Sequence, residues 1–196
     1  PTIMQKKKIE KRNGKFLTFD DTPFYVYNST VVKRIKKNFP DTKIIIIFRN
    51  PIDRAYSNYF LGVNGGKEKR EFDDLIEEEI RLITSRNRQV LFDETLSETY
   101  LGRGLYAEQL KVWFNEFPKD SVKIIKSEEF AEKTQDVMLD IFQFLDLPEY
   151  KISNIEKKNV AKYPPMKKET RKKLEEFFHP HNKELYDMVG KDFGWK

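Results

Sequence analysis

Hydrophobic positions follow two rhythms along the chain. Ile44-Ile45-Ile46-Ile47-Phe48 is an unbroken apolar run dominated by β-branched residues, the pattern of a strand buried on both faces in the middle of a parallel sheet. Val122-Lys123-Ile124-Ile125-Lys126, introduced by Asp120 and Ser121, reads as a second strand, and Phe16-Leu17-Thr18-Phe19 as a short third. Elsewhere the spacing is helical. Val31, Val32, Ile35 and Phe39 predict a helix from Thr30 to about Phe39, capped by Asn28 or Ser29 and ended by Pro40-Asp41. Phe72, Leu75, Ile76, Ile80 and Ile83 predict one over 72–84, and Leu105, Leu110, Trp113 and Phe117 another directly after Gly104. Val137, Met138, Ile141, Phe142 and Leu145 form a core stripe on a helix from about Thr134 to Leu145. A last helix runs from about Met166 to Phe178, is broken or kinked by Pro180, and is followed by a second to about Val189. Strands alternating with helices predict an α/β domain with a mostly parallel sheet.

The chemistry gathers where the first strand ends. Asn50 is a good N-cap and Pro51 suits the first helical position, so a helix begins two residues after Phe48 and stops near Gly62. Arg49 lies in the turn between them, at the carboxyl end of a strand, where open α/β sheets bind ligands. A helix N-terminus offers free N–H groups and positive potential, so the expected ligand is an anion. Ser57 lies near the helix face of Asp53 and Arg54, and one guanidinium and one hydroxyl can grip one phosphate. The plainer alternative is an arginine paired with a nearby carboxylate. A second stretch, Gly102-Arg103-Gly104, permits close backbone approach or positive φ at a helix start.

Composition narrows the classes. At 196 residues the chain fits one domain with a sizeable core, residues 1–196, of which 1–15 are a basic segment of little pattern. It has no cysteine and only two histidines, which excludes disulfides and thiolate metal sites and disfavours a His-rich one. No apolar run approaches the length of a membrane span and no signal-peptide pattern opens the chain, so the expected setting is cytoplasmic. The net charge of +5 is modest. It is concentrated in Lys6, Lys7, Lys8, Lys11, Arg12 and Lys15, and in residues 151–173, where only Glu156 and Glu169 oppose the basic residues. Such windows attract polyanions, nucleotides or anionic surfaces. A nucleic-acid partner would rest on them alone and is not expected.

Taken whole, Arg49-x-Pro51-x-x-Arg54-x-x-Ser57-x-Tyr59 after a strand resembles the 3′-phosphate-binding segment of sulfotransferases, enzymes that use 3′-phosphoadenosine 5′-phosphosulfate (PAPS). The resemblance implies that Arg49 and Ser57 hold the 3′-phosphate. Asp20-Asp21-Thr22-Pro23-Phe24-Tyr25 resembles a segment of the glycosaminoglycan type, with Asp20 at its acidic position and Asp21 replacing a lysine; either is a candidate carboxylate base. Arg103-Gly104-Leu105-Tyr106-Ala107-Glu108-Gln109-Leu110 looks like the family's helix near acceptor and cofactor, which makes Arg103 and Tyr106 candidate substrate contacts. Irregular residues 85–100 are candidates for a loop over the acceptor. In the loop 156–166 the family covers the cofactor. Lys158, Asn159 and Lys162 are the candidate donors there, although Ala161 stands where a glycine is expected. Glu128 and Glu129 read as structural. Phe177 to Asn182 and Val189 to Trp195 resemble the end of heparan-sulfate-type sulfotransferases, with His179 and His181 in capping or surface roles.

The resemblance covers roughly residues 16–196 and implies a three-layer α/β fold related to P-loop kinases, with helices on both faces of the sheet. It also implies sulfuryl transfer from PAPS to a hydroxyl or amine of an acceptor, a carbohydrate or a small hydroxylated molecule, with 3′,5′-ADP as product and no metal. One family element is not found. No Lys-x-Gly-Thr segment, which cradles the 5′-phosphosulfate, precedes Phe16, and the base expected soon after it is absent too. The expectation is that about a quarter of the usual catalytic domain lies upstream of Pro1, and that these residues alone transfer sulfate poorly. The alternative is a non-catalytic module that binds a 3′-phosphonucleotide or an anionic glycan.

Overall fold

The computed structural model of the protein describes residues 17–85, 98–153 and 163–195. Strands β1 (Ile44–Phe48) and β2 (Val122–Lys126) pair in parallel, with Ile46 opposite Ile124. Helices α1 (Ser29–Asn38), α2 (Pro51–Asn64), α3 (Phe72–Ser85), α4 (Tyr106–Glu116), α5 (Ser127–Glu132), α6 (Thr134–Phe144) and α7 (Lys168–Val189) complete the α/β frame. Each long apolar stripe seen in the sequence becomes a helix close to its expected bounds. Asn28 is the cap of α1, its side chain accepting the Val31 N–H at 3.1 Å.

One face of the sheet is packed. Ile44, Ile46 and Phe48 of β1 and Val122 of β2 lie in a core with Val32 of α1, Leu110 and Trp113 of α4, Leu185 of α7, and the C-terminal Phe193 and Trp195. A second core joins α2, α3 and the first half of α7 through Ile52, Leu75, Ile76, Leu101, Leu174 and Phe178. Helix α7 spans both cores.

The other face corrects the expectation of a doubly buried β1. Ile45 is 36% and Ile47 51% exposed, alternating with buried neighbours. Helix α6 lies over β2, where Lys123 pairs with Asp140 at 2.7 Å and sits over the Phe144 ring. Ile45 and Ile47 are left half open to solvent among the described residues. A continuous apolar run reports that both faces are apolar, not that both are covered.

Three further expectations change. Leu17 to Phe19 form no strand and are exposed, since among the described residues nothing pairs with their N–H and C=O groups. Phe16 lies outside the described residues, as do the basic segment 1–15 and positions 86–97 of the expected acceptor loop. Pro180 does not divide the last segment, because α7 runs through it unbroken. The proline is exposed, so the Glu176 carbonyl it leaves without an amide partner can face water, while Leu174, Phe178, Asn182 and Leu185 bury the opposite side.

Candidate functional site

The turn after β1 is built by Asn50. Its Oδ1 accepts the N–H groups of Ile52 at 2.9 Å and Asp53 at 3.4 Å, and its carbonyl accepts that of Arg54 at 2.9 Å. Pro51 has no N–H to offer. The start of α2 is therefore satisfied from within, and the expectation that free helix amides bind an anion is not met. Any anion here has to be held by side chains. Arg49 and Ser57 are the side chains the sequence offers for it. Both are half-buried, and among the described residues neither the Arg49 guanidinium nor the Ser57 hydroxyl has a hydrogen-bond or ion-pair partner. Basic groups at the start of α7 are engaged: Arg171 with Asp53, Lys167 with Asp73 and Lys173 with Glu77. These three belong to the basic window expected to attract a ligand, and they instead fasten α7 to α2 and α3. Lys158, Asn159 and Lys162 lie outside the described residues.

A second turn, Tyr100 to Leu105, is locked against the first. Gly104 is there because of space: a Cβ on it would come within 2.9 Å of Pro51 and of the Phe178 ring. Arg103, carried by this turn, donates to Asn58 Oδ1 at 3.4 Å and lies over the Tyr27 ring, 5.2 Å from its centroid. Tyr27 ends a 3-10 turn, Pro23–Tyr27, that is tied to α4 by Trp113 Nε1 donating to the Val26 carbonyl at 3.0 Å. Arg103 is thus beside Ser57's neighbour on α2 and faces the segment that follows Asp20 and Asp21. Those two carboxylates are exposed. Asp20 accepts the Thr22 hydroxyl at 2.7 Å, and among the described residues no hydrogen bond or ion pair joins either aspartate to Arg49, Ser57 or Arg103.

Tyr106 is not at the surface. It is 4% exposed, its ring stacks on Phe48 with centroids 4.1 Å apart, and its hydroxyl donates to the Arg49 carbonyl at 2.9 Å. Burial pushes its pKa up, so it stays a donor. Its place is behind the Arg49 turn, buried away from solvent. Glu128 is structural, as its sequence context suggests: Oε1 accepts the Asn50 N–H at 2.8 Å and Oε2 the Trp195 indole N–H at 3.4 Å. Glu129 pairs with Lys191 at 2.8 Å. His181 packs its ring on Phe177.

Two residues of the site were given no role of their own from the sequence. Arg54 donates to the Tyr100 carbonyl, and its cation faces the Tyr106 oxygen. Burial presses its pKa down, while Tyr106 and Glu79 favour the charge. Glu79, 8% exposed, accepts the N–H groups of Tyr100 at 2.9 Å and Leu101 at 2.7 Å. The signal for Glu79 was present, since it falls on the α3 stripe of Leu75, Ile76 and Ile83.

Glu79 makes the turn sensitive to pH. Burial raises its carboxyl above the ordinary 4.5, against the Leu101 and Tyr100 amides and Arg54, which lower it. The folded state then holds this proton more tightly than the unfolded chain, so stability falls as pH rises from about 4.5 through the raised folded value. Melting curves of the protein and of Glu79→Gln should show the parent losing ground to the variant as pH rises through this window. Parallel pH dependences would reject the assignment.

Among the described residues no group of three His, Asp or Glu side chains converges as a metal site, and no described helix is long and apolar enough to cross a membrane.

Residues 21–196 match the sulfotransferase domain family. Heparan sulfate glucosamine 3-O-sulfotransferase 3B1 of Mus musculus is 26% identical over 91% of this chain and 50% of its own length. Membrane-associated sulfotransferase kil1 of Dictyostelium discoideum is 22% identical over 89% and 52%. The crystal structure of a sulfotransferase from Alicyclobacillus acidocaldarius is 32% identical, with TM-score 0.67, over 87% of this chain and 63% of that one. The chain thus spans about half the length of the two sequence relatives. With a family match that runs from Asp21 to the last residue, the chain belongs to the sulfotransferase family.

Proposed function

We propose that the protein moves a sulfuryl group from PAPS to a carbohydrate acceptor, and that Arg49 and Ser57 hold the 3′-phosphate of the donor. One observation carries the assignment: Arg49 is half-buried at the end of β1, and among the described residues its guanidinium has no hydrogen-bond or ion-pair partner, whereas Lys167, Arg171 and Lys173 are paired with carboxylates. With the α2 amides already satisfied, a phosphate suits the remaining groups. Arg49 supplies charge-assisted N–H bonds and Ser57 a hydroxyl donor. The family match and the glycan named for the Mus musculus relative support the reaction and the acceptor class. We further infer that β1 and β2 belong to a three-layer, P-loop-like domain. Parallel sheets are normally covered on both faces, and Ile45 and Ile47 are apolar side chains suited to such a cover.

PAPS supplies an activated sulfuryl group, whose bond from sulfur to the leaving 3′,5′-ADP breaks as the acceptor oxygen or nitrogen bonds to sulfur. This chain's residues act on position and charge. Arg49 and Ser57 fix the nucleotide at its 3′ end. Lys158, Asn159 and Lys162 are assigned to closing over it. Arg103 is assigned to a contact with the acceptor, and Asp20 or Asp21 to taking the acceptor proton.

The test is transfer of labelled sulfate from PAPS to a panel of glycans. The expected result is label on glycan with 3′,5′-ADP released in equal amount, at a low rate from these residues alone. Binding of 3′,5′-ADP with no labelled product would favour a non-catalytic nucleotide-binding module. Absence of both would overturn the reading.

A further inference from the structure

The peptide unit joining Arg49 to Asn50 is gripped on both of its polar atoms. The Tyr106 hydroxyl donates to its carbonyl oxygen at 2.9 Å, and Glu128 accepts its N–H at 2.8 Å. The two grips come from different elements, α4 and α5, on either side of the turn. Each is itself braced. Tyr106 is stacked on Phe48 and faced by the Arg54 cation, while the second carboxylate oxygen of Glu128 accepts the Trp195 indole N–H. Arg54 is costly as mere filling, because its Nε is buried with no partner among the described residues. An apolar side chain would pack there without that penalty, so the cation's value lies in what it faces.

The orientation of this peptide sets the ψ angle of Arg49 and the φ angle of Asn50. It therefore fixes the direction in which the Arg49 side chain leaves the backbone. We propose that Tyr106 and Glu128 are positioning residues that hold the Arg49–Asn50 peptide and so aim the Arg49 guanidinium at the 3′-phosphate. This rests on the assignment of Arg49 to that phosphate. Neither residue touches the nucleotide; each acts through the backbone of Arg49, and displacement of a positioned group by a fraction of an ångström is enough to weaken a charge-assisted bond.

The experiment measures the affinities of 3′,5′-ADP and 5′-AMP for the whole chain and for four variants. Tyr106→Phe keeps the stack on Phe48 and loses only the donor. Glu128→Leu removes the acceptor, Glu128→Gln keeps one acceptor oxygen, and Arg49→Ala removes the group being aimed. Tyr106→Phe and Glu128→Leu should each weaken 3′,5′-ADP about three- to tenfold, the value of one lost hydrogen bond, with 5′-AMP unchanged. Glu128→Gln should retain more affinity than Glu128→Leu. In the Arg49→Ala background, Tyr106→Phe should cost nothing further, since its effect passes through Arg49. Lower thermal stability with an unchanged ratio of the two affinities would overturn the proposal and make both residues ordinary scaffold. So would additive losses in the double variant. If Arg49→Ala itself left the ratio unchanged, the phosphate assignment would fall and this proposal with it, a result distinct from loss in Arg49→Ala without loss in Tyr106→Phe. Should Tyr106→Phe not fold, the two Glu128 variants decide by the same ratio.

Discussion

Arg49→Ala is expected to weaken 3′,5′-ADP by about 1.5–3 kcal/mol, roughly 10- to 150-fold in Kd, the range for a charge-assisted hydrogen bond. It should leave 5′-AMP, which lacks the 3′-phosphate, nearly unchanged. Two features of the turn make the contrast clean. Asn50, not Arg49, caps α2, so the substitution leaves the helix start intact. The Arg49 guanidinium has no partner among the described residues, so its removal orphans no carboxylate. The backbone carbonyl that Tyr106 grips is kept in alanine. Calorimetry with both nucleotides gives the answer, and equal losses for the two would reject the assignment.

Phe178→Ala is expected to lower the free energy of unfolding by about 3–5 kcal/mol, the usual cost of emptying a large aromatic site. Phe178 is fully buried and packs where α7 meets the Gly104 turn and the start of α2. The cavity cannot close easily. Gly104 has no side chain to move in, Pro51 is rigid, and Leu174 is held on the same helix face. Against a typical domain stability of about 5–15 kcal/mol the loss is large. Denaturant unfolding should show a lower midpoint with an unchanged slope. A shift worth less than about 1 kcal/mol would mean that the neighbours collapse into the space, against the packing described.

What the sequence allowed one to read follows from which signals are local. Apolar spacing is local to a helix, so the stripes at Val31 to Phe39, Phe72 to Ile83 and Val137 to Leu145 mapped onto α1, α3 and α6. Asn50-Pro51 is a local cap, and it placed the start of α2 correctly. The failures needed distant information. The run Ile44 to Phe48 cannot say which of its faces a neighbour covers. Pro180 obeys a local rule that α7 overrides by packing its far side into two cores. Tyr106 looked like a substrate contact because its segment resembles the family's helix near acceptor and cofactor. The stack on Phe48 turns it inward instead, and no spacing rule contains that contact. The N–H groups at the start of α2 looked free because a helix end has orphan donors. The same Asn50 that announced the helix consumes them.

The Arg49–Asn50 grip is also made of remote contacts. Tyr106 meets Arg49 across 57 positions of chain, Glu128 meets Asn50 across 78, and Trp195 meets Glu128 across 67. Helices such as α3 or α6 can form from neighbours in sequence, whereas each of these closures must first overcome the entropy of a long loop. The order of events in refolding should therefore separate, with helical signal appearing before the Arg49 turn acquires its geometry. Nucleotide affinity, followed in time after dilution from denaturant, then reports on the final stage of assembly, when the last turn of chain carrying Trp195 has come home against Glu128.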